Sequence, residues 1–377
     1  MHRRQRPIAA LLIAAAAVLA LGMPGATPPA AADTAKASQV LSSGSDVSYT
    51  ASVNLTGLYN GSPGCVLVAA SGTQPLDFSC LADEPATITT ENYSHDVIAE
   101  AFPVGASVAV NQLCANVGGV SLVRNTRAAR SSDCTGLHFV PWGRDGAAWE
   151  CFNGCHGVSN LTKAQLQGIY GDCSITNWNQ VGGTDGPIKV YSVKPGSGLK
   201  SNWNSYLGIS DDTHCSPDSA HIIRQNLNGP ILDNGDANDA IFYFSIGNHR
   251  TNVKTADGSK LGSINGVAPS IVNVGSGLYP ISFFLSNVYC AASTGAAPCP
   301  VAAPAPVLKY AHESTGWLCK AGSDAAHTDA HSIDPITGVN FRTLILRAIQ
   351  AAGFASIPYG PTGGSASGSS FCREFET

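Results

Sequence analysis

Four times along the chain an apolar, β-prone stretch runs into a short loop rich in Gly and Ser. The first loop, Gly44-Ser45-Asp46-Val47-Ser48-Tyr49, leads into a helix-like segment, residues 50–59. The second instance is an apolar run over 97–102, the loop 103–107 with Gly105 and Ser107, and a helical pattern over 108–116. The third is 120–123 followed by Arg127 to Asp133, with Arg130, Ser131 and Ser132 inside it. The fourth is 188–193, then Lys194-Pro195-Gly196-Ser197-Gly198, then a helical stretch from Leu199 to Leu207. Strand, loop and helix in this order predict an α/β protein with a largely parallel sheet. In such sheets ligands sit beyond the carboxyl ends of the strands.

Other segments fill in the outline. Leu161-Thr162-Lys163-Ala164-Gln165-Leu166 reads as a capped helix start. The Ala/Pro-rich stretch 291–306 reads as a surface loop, 341–352 as an amphipathic helix, and the tail after Pro361 as flexible chain tied back by Cys372. Asp33 to Leu41 reads as a disordered leader.

The N-terminus changes the picture. A basic head (His2, Arg3, Arg4, Arg6) precedes an apolar run over 8–21 and small residues ending at Ala32. This is the layout of a secretory signal peptide over 1–32. The competing reading is a membrane anchor, for which the run falls short of the ~20 apolar residues a span needs. A twin-arginine reading of Arg3-Arg4 fits its surroundings poorly. With no Cys before Cys65, the exported chain is expected to carry no lipid anchor. The full chain has a net charge of −5, and losing Arg3, Arg4 and Arg6 leaves 18 basic against 26 acidic residues, or −8. With no basic cluster, nucleic acid and acidic membranes are excluded as expected partners.

All 12 cysteines follow the cleavage point, an even count that in an exported chain predicts up to six disulfides. Proximity in sequence suggests Cys65–Cys80, Cys114–Cys134, Cys151–Cys155, Cys173–Cys215, Cys290–Cys299 and Cys319–Cys372. No C-x-x-C spacing supports metal ligation instead. His327-Thr328-Asp329-Ala330-His331 could bring two imidazoles together on a helix, but reads as a solvated loop. No nucleophile elbow, zinc-helix motif or Walker loop is present, so neither catalysis, cofactor nor metal is expected.

Ser before a helix is first an N-cap, worth about 1 kcal/mol. Several such loops in one chain also offer free N–H groups and positive dipole ends to an anion. Arg144-Asp145 reads either as an ion pair or as a ligand contact.

The ordered series Leu161-Thr162-Lys163-Ala164-Gln165-Leu166, Ile169-Tyr170-Gly171, Ile175-Thr176-Asn177-Trp178-Asn179, Gly182-Gly183, Ile188-Lys189-Val190 and Gly196-Ser197-Gly198 resembles the phosphate-binding (PstS-like) branch of the periplasmic binding proteins that feed ABC importers. Gly44-Ser45-Asp46, Arg130-Ser131-Ser132, Val140-Pro141 and Gln225-Asn226 extend the resemblance over roughly 40–360. It implies a type 2 fold of two α/β lobes, 42–140 plus 278–377 and 141–277, joined by two crossing strands near Val140-Pro141 and Tyr279-Pro280. A small oxyanion, phosphate, would lie between them, held by Ser48, Tyr49, Gly105, Ser107, Arg130, Ser131, Ser132, Gly196, Ser197, Gly198 and Leu199. It further implies a soluble monomer, extracellular or periplasmic, serving an ABC permease. A sensor, scavenger or adhesin on the same fold, or a secreted phosphoester hydrolase, are the alternatives. The chain departs from the family where Val193 replaces an Arg, Leu199 a Thr, and Arg127 an Asp that accepts phosphate's proton. Asp46 or Asp133 could assume that acceptor role, and Arg144 and Asp145 lie close enough in sequence to a crossing to contribute. Weaker phosphate binding and poorer exclusion of sulfate are therefore expected.

Overall fold

The computed structural model describes residues 39–61, 65–68, 77–80, 97–101, 103–252, 258–291, 298–319, 339, 341–357 and 372. The signal segment, the His327–His331 motif and most of the C-terminal tail lie outside them. The strands are β1 (Gln39–Gly44), β2 (Cys65–Val68), β3 (Asp77–Cys80), β4 (Val97–Glu100), β5 (Val120–Asn125), β6 (Leu137–Cys151), β7 (Asn160–Leu161), β8 (Lys189–Val190), β9 (Ser192–Val193), β10 (Ile222–Ile223), β11 (Ala240–Ser245), β12 (Lys260–Leu261), β13 (Ser263–Ile264), β14 (Ser282–Cys290) and β15 (Ala355–Ser356). The helices are α1 (Tyr49–Gly61), α2 (Ala106–Ala115), α3 (Lys163–Tyr170), α4 (Gly198–Leu207), α5 (Gly229–Asp233), α6 (Ile246–Asn252), α7 (Ile271–Gly275), α8 (Ala305–Ala311) and α9 (Phe341–Ala351).

The main sheet runs β4-β1-β5-β14-β6-β11-β8, with β12 and β15 also paired to β6. β4, β1 and β5 are parallel, as are β11 and β8, while β14 runs antiparallel to both β5 and β6. The α/β class expected from the repeated strand–loop–helix order is what forms, with parallel pairs towards both ends of the sheet and antiparallel pairs about β6 and β14 where a largely parallel sheet was expected. Long β6 carries the sheet from one parallel group to the other, and Val140-Pro141 lies within it. Tyr279-Pro280 stands just before β14, its antiparallel partner.

Burial follows from position in the sheet. β6 lies between partners on both sides, and nearly all its residues are buried, as expected for a central strand covered on both faces. α9 buries one stripe, Phe341, Leu344, Ile345, Ala348 and Ile349, at helical spacing. Thr162 and Gln165 form the reciprocal capping box that starts α3.

Two expectations are corrected. The leader does not reach Leu41, because Val40 and Leu41 are buried where β1 pairs with β4 and β5. The third Gly/Ser loop leads into no helix. Residues 126–136 pass from β5 to β6, and a buried Arg127–Asp133 pair holds that loop instead.

The cysteines join as Cys114–Cys134, Cys151–Cys155, Cys173–Cys215, Cys290–Cys299 and Cys319–Cys372. The register of β2 and β3 sets Cys65 opposite Cys80, whose side chains lie outside the described residues. The sulfurs of Cys134 and Cys299, from two different bridges, are 3.4 Å apart. Among the described residues no helix is long and apolar enough to cross a membrane.

Candidate functional site

The N-termini of α1, α2 and α4 are brought together by the loops that precede them. Gly105, the N-cap of α2, has φ 99°, a conformation that costs glycine little and other residues much. It also allows a close approach, since a Cβ there would lie 2.7 Å from the Gly196 carbonyl oxygen. That carbonyl accepts the Ser107 N–H at 3.1 Å, so the loops before α2 and α4 touch directly.

Thr126, at the end of β5, stands between them. Its hydroxyl is 3.1 Å from that of Ser45, and any Cβ on Gly198 would overlap it. Asn202, one turn into α4, donates to the Thr126 carbonyl. Ser197 caps α4 by accepting the Lys200 N–H at 3.2 Å, and its hydroxyl bonds Gln225. Gln225 in turn donates to Asp46 at 3.0 Å. The first N–H groups of α4, including those of Gly198 and Leu199, have no acceptor within the helix. Ser48, at the start of α1, is 1 % exposed and its hydroxyl has no hydrogen-bond partner.

The charged groups here are largely committed to one another. Arg127 is buried and donates from Nε to Ser107 Oγ at 3.1 Å, with both terminal nitrogens on Asp133 at 2.9 and 2.7 Å. Asp133 also accepts the Arg130 N–H at 2.9 Å. Asp46 is paired with Arg224. Neither Asp46 nor Asp133 is therefore an uncommitted acceptor, and Arg127 is not an uncommitted cation. Arg130 reaches across to the Ser201 hydroxyl. Burial, and then the neighbouring Arg127, lower its pKa.

Other expected residues stand apart from the cluster. Ser131 and Ser132 are exposed on the turn after β5. The Tyr49 ring lies under the Arg124 guanidinium, 5.0 Å away, and Arg124 is itself paired with buried Glu100. Arg144 and Asp145 make no ion pair, because consecutive residues on a strand face opposite ways. Arg144 covers the Phe284 ring at 4.4 Å. Asp145 accepts the Ser245 hydroxyl and the Gly247 N–H at the start of α6. Burial pushes its carboxyl up to about 6 against the pull of those bonds. Val193 and Leu199 are core residues, 1 % and 0 % exposed, which is why hydrocarbon suits both positions.

Ser45, Thr126, Asn202 and Gln225 are the contacts that sequence reasoning missed. Thr126 carried a signal, lying three residues past the apolar run 120–123, close to a strand end where site residues of α/β folds gather.

Beside the cluster opens a cavity of about 450 Å³, lined among others by Thr126, Arg127, Phe139, Asn202, Phe283 and Phe284. A second depression, about 650 Å³, shares Phe139 and includes Arg130 and Ser131. A third, about 500 Å³, joins Arg130 to Gly196, Ser197 and Ser201. Among the described residues one group could offer metal ligands, Cys173, His214 and Cys215, and its two sulfurs are joined in a disulfide.

No curated protein matches the chain in sequence. Among solved structures, an ABC-type phosphate transport receptor from Vibrio cholerae is similar at 21 % identity and TM-score 0.48, over 68 % of this chain and 88 % of that one. A putative phosphate ABC transporter substrate-binding protein from Clostridium perfringens, with bound phosphate, is similar at 15 % identity and TM-score 0.49, over 85 % and 100 %. A phosphate-binding protein from Stenotrophomonas maltophilia is similar at 14 % identity and TM-score 0.47, over 84 % and 90 %. A model of the PBP superfamily domain (PBP_like_2) matches residues 59–305, well over half the sequence, and the chain belongs to that superfamily.

Proposed function

We propose that this is an exported solute-binding protein that holds a small oxyanion, phosphate first, where α1, α2 and α4 converge, and delivers it to an ABC permease. Family membership and the pattern of donors support the reading. The single observation that carries it is the Ser48 hydroxyl, buried without a partner at the start of α1. Leaving such a group unpaired costs about 1–3 kcal/mol, and an oxyanion beside it would accept its hydrogen bond. Helix N-terminal N–H groups and the Ser107 and Thr126 hydroxyls supply further donors, the chemistry that suits an anion rather than a cation. The lobes would be 42–140 plus 278–377 and 141–277, hinged on β6 and β14. Opening would then break Ser107–Gly196, Arg130–Ser201 and Asp46–Arg224.

Recognition by neutral donors with committed carboxylates predicts weak discrimination between phosphate and sulfate. Calorimetric and thermal-shift titrations with both anions test this. A ligand at a hundred times its Kd adds about 2.7 kcal/mol of stability, and Ser48→Ala should weaken both anions about tenfold without lowering stability. Absence of binding by any oxyanion would overturn the reading.

A further inference from the structure

The 450 Å³ cavity is larger than an inorganic anion needs and has a different chemistry from the donor cluster. Its walls are Phe139, Phe283, Phe284, Ala128 and Ala129, with Thr126 and Asn202 on the side of α4. The charged side chain on its wall, Arg127, is spent on Asp133, Ser107 and the Ala128 carbonyl. Ser282, also on the wall, donates its hydroxyl hydrogen bond to the Tyr279 carbonyl at 2.8 Å. With Arg127 and Ser282 committed, the wall offers an occupant only neutral polar groups, on Thr126, Asn202 and Ser286. A pocket of some hundreds of Å³, mostly apolar with a few fixed polar groups, is the usual form of a small-molecule site.

The cavity and the donor cluster share a wall. Thr126 faces Ser45 and Gly198 in the cluster and also borders the cavity. Asn202 borders it too, and lies one turn along the same helix whose N-terminus enters the cluster. A ligand whose anionic end meets α4 therefore has an apolar space next to it.

We propose that the ligand is an organic oxyanion, a phosphomonoester with a compact apolar substituent, and that the substituent fills this cavity. The inference rests on the oxyanion reading above and adds the class of molecule to it. Titration calorimetry on the exported chain with phenyl phosphate, inorganic phosphate and phenol tests it. Phenyl phosphate should bind at least tenfold more tightly than inorganic phosphate, and phenol more weakly than either. Ala128→Phe places a ring in the cavity from an exposed loop position, so the core stays packed. It should abolish the advantage of phenyl phosphate and leave inorganic phosphate unchanged, with an unaltered melting curve. Equal affinities for phenyl and inorganic phosphate, indifferent to Ala128→Phe, would overturn this inference and leave the oxyanion reading standing. Binding of phenol with none of either anion would overturn both.

Discussion

Gly198→Ala tests the contact on which the donor cluster is built. In a helix interior the change stabilises by up to about 1 kcal/mol, and by less at a first position. Here the added methyl would overlap Thr126 Oγ1 and lie 3.2 Å from Ala106 Cβ. Both neighbours sit on packed backbone, so α4 must shift or Thr126 must leave its rotamer and break its bond to Ser45. Overpacking of this kind costs about 1–3 kcal/mol, and the lost hydrogen bond about 1 kcal/mol. The net expectation is a destabilisation of about 1–3 kcal/mol, read by urea unfolding, with a clear loss of anion affinity. Thr126→Ala alone should cost about 1 kcal/mol. Combined with Gly198→Ala it removes the overlapping oxygen, so the double variant should be less destabilised than the two changes summed. A coupling of at least ~1 kcal/mol is expected from the double-mutant cycle. Additive effects, or a Gly198→Ala protein as stable as the parent, would refute the close approach of α4 to β5.

Lys200 is buried and holds Asp211, Asp212 and the Ser192 hydroxyl. Lys200→Met leaves fully buried Asp212 without its cation and should cost about 3–5 kcal/mol in chemical denaturation, much of it recovered by adding Asp212→Leu. A loss below ~1 kcal/mol would show that the pair is solvated. For Asp145, the folded-state value of about 6 lies above the ~3.9 of an unfolded-chain Asp. The stability this carboxyl contributes is thus full below pH ~4 and lost as pH rises through 6, about 3 kcal/mol in all. Asp145→Asn should show a flatter stability profile between pH 4 and 7, and parallel profiles would contradict the buried, unpaired setting.

How far the sequence could be read depended on how local the cause was. The α1, α2 and α4 starts were legible because each rests on a Gly or Ser within a few residues of an apolar run. Thr162 and Gln165 announced α3 in the same way. The third loop misled because Arg130-Ser131-Ser132 has the composition of a helix start, whereas its conformation is set by Asp133 folding back on Arg127. Arg144 and Asp145 were read together as neighbours, but strand geometry sends them to different partners, Phe284 and Ser245. Asn202 and Gln225 meet residues far away in the chain, and no local pattern marks such contacts. Each described bridge joins two cysteines that follow one another in the sequence, so pairing by proximity found them.

The 3.4 Å approach of Cys134 to Cys299 bears on how the chain matures. A thiolate exposed by reducing either bridge lies within reach of a sulfur of the other, so Cys114, Cys134, Cys290 and Cys299 behave as one exchanging set. During synthesis Cys114 and Cys134 become available well before Cys290 and Cys299, and their bridge can close with no competitor present. Refolding of the complete reduced chain has no such order, and all four thiols compete at once. Scrambled isomers centred on Cys134 and Cys299 should therefore burden protein recovered from inclusion bodies far more than protein oxidised as it emerges.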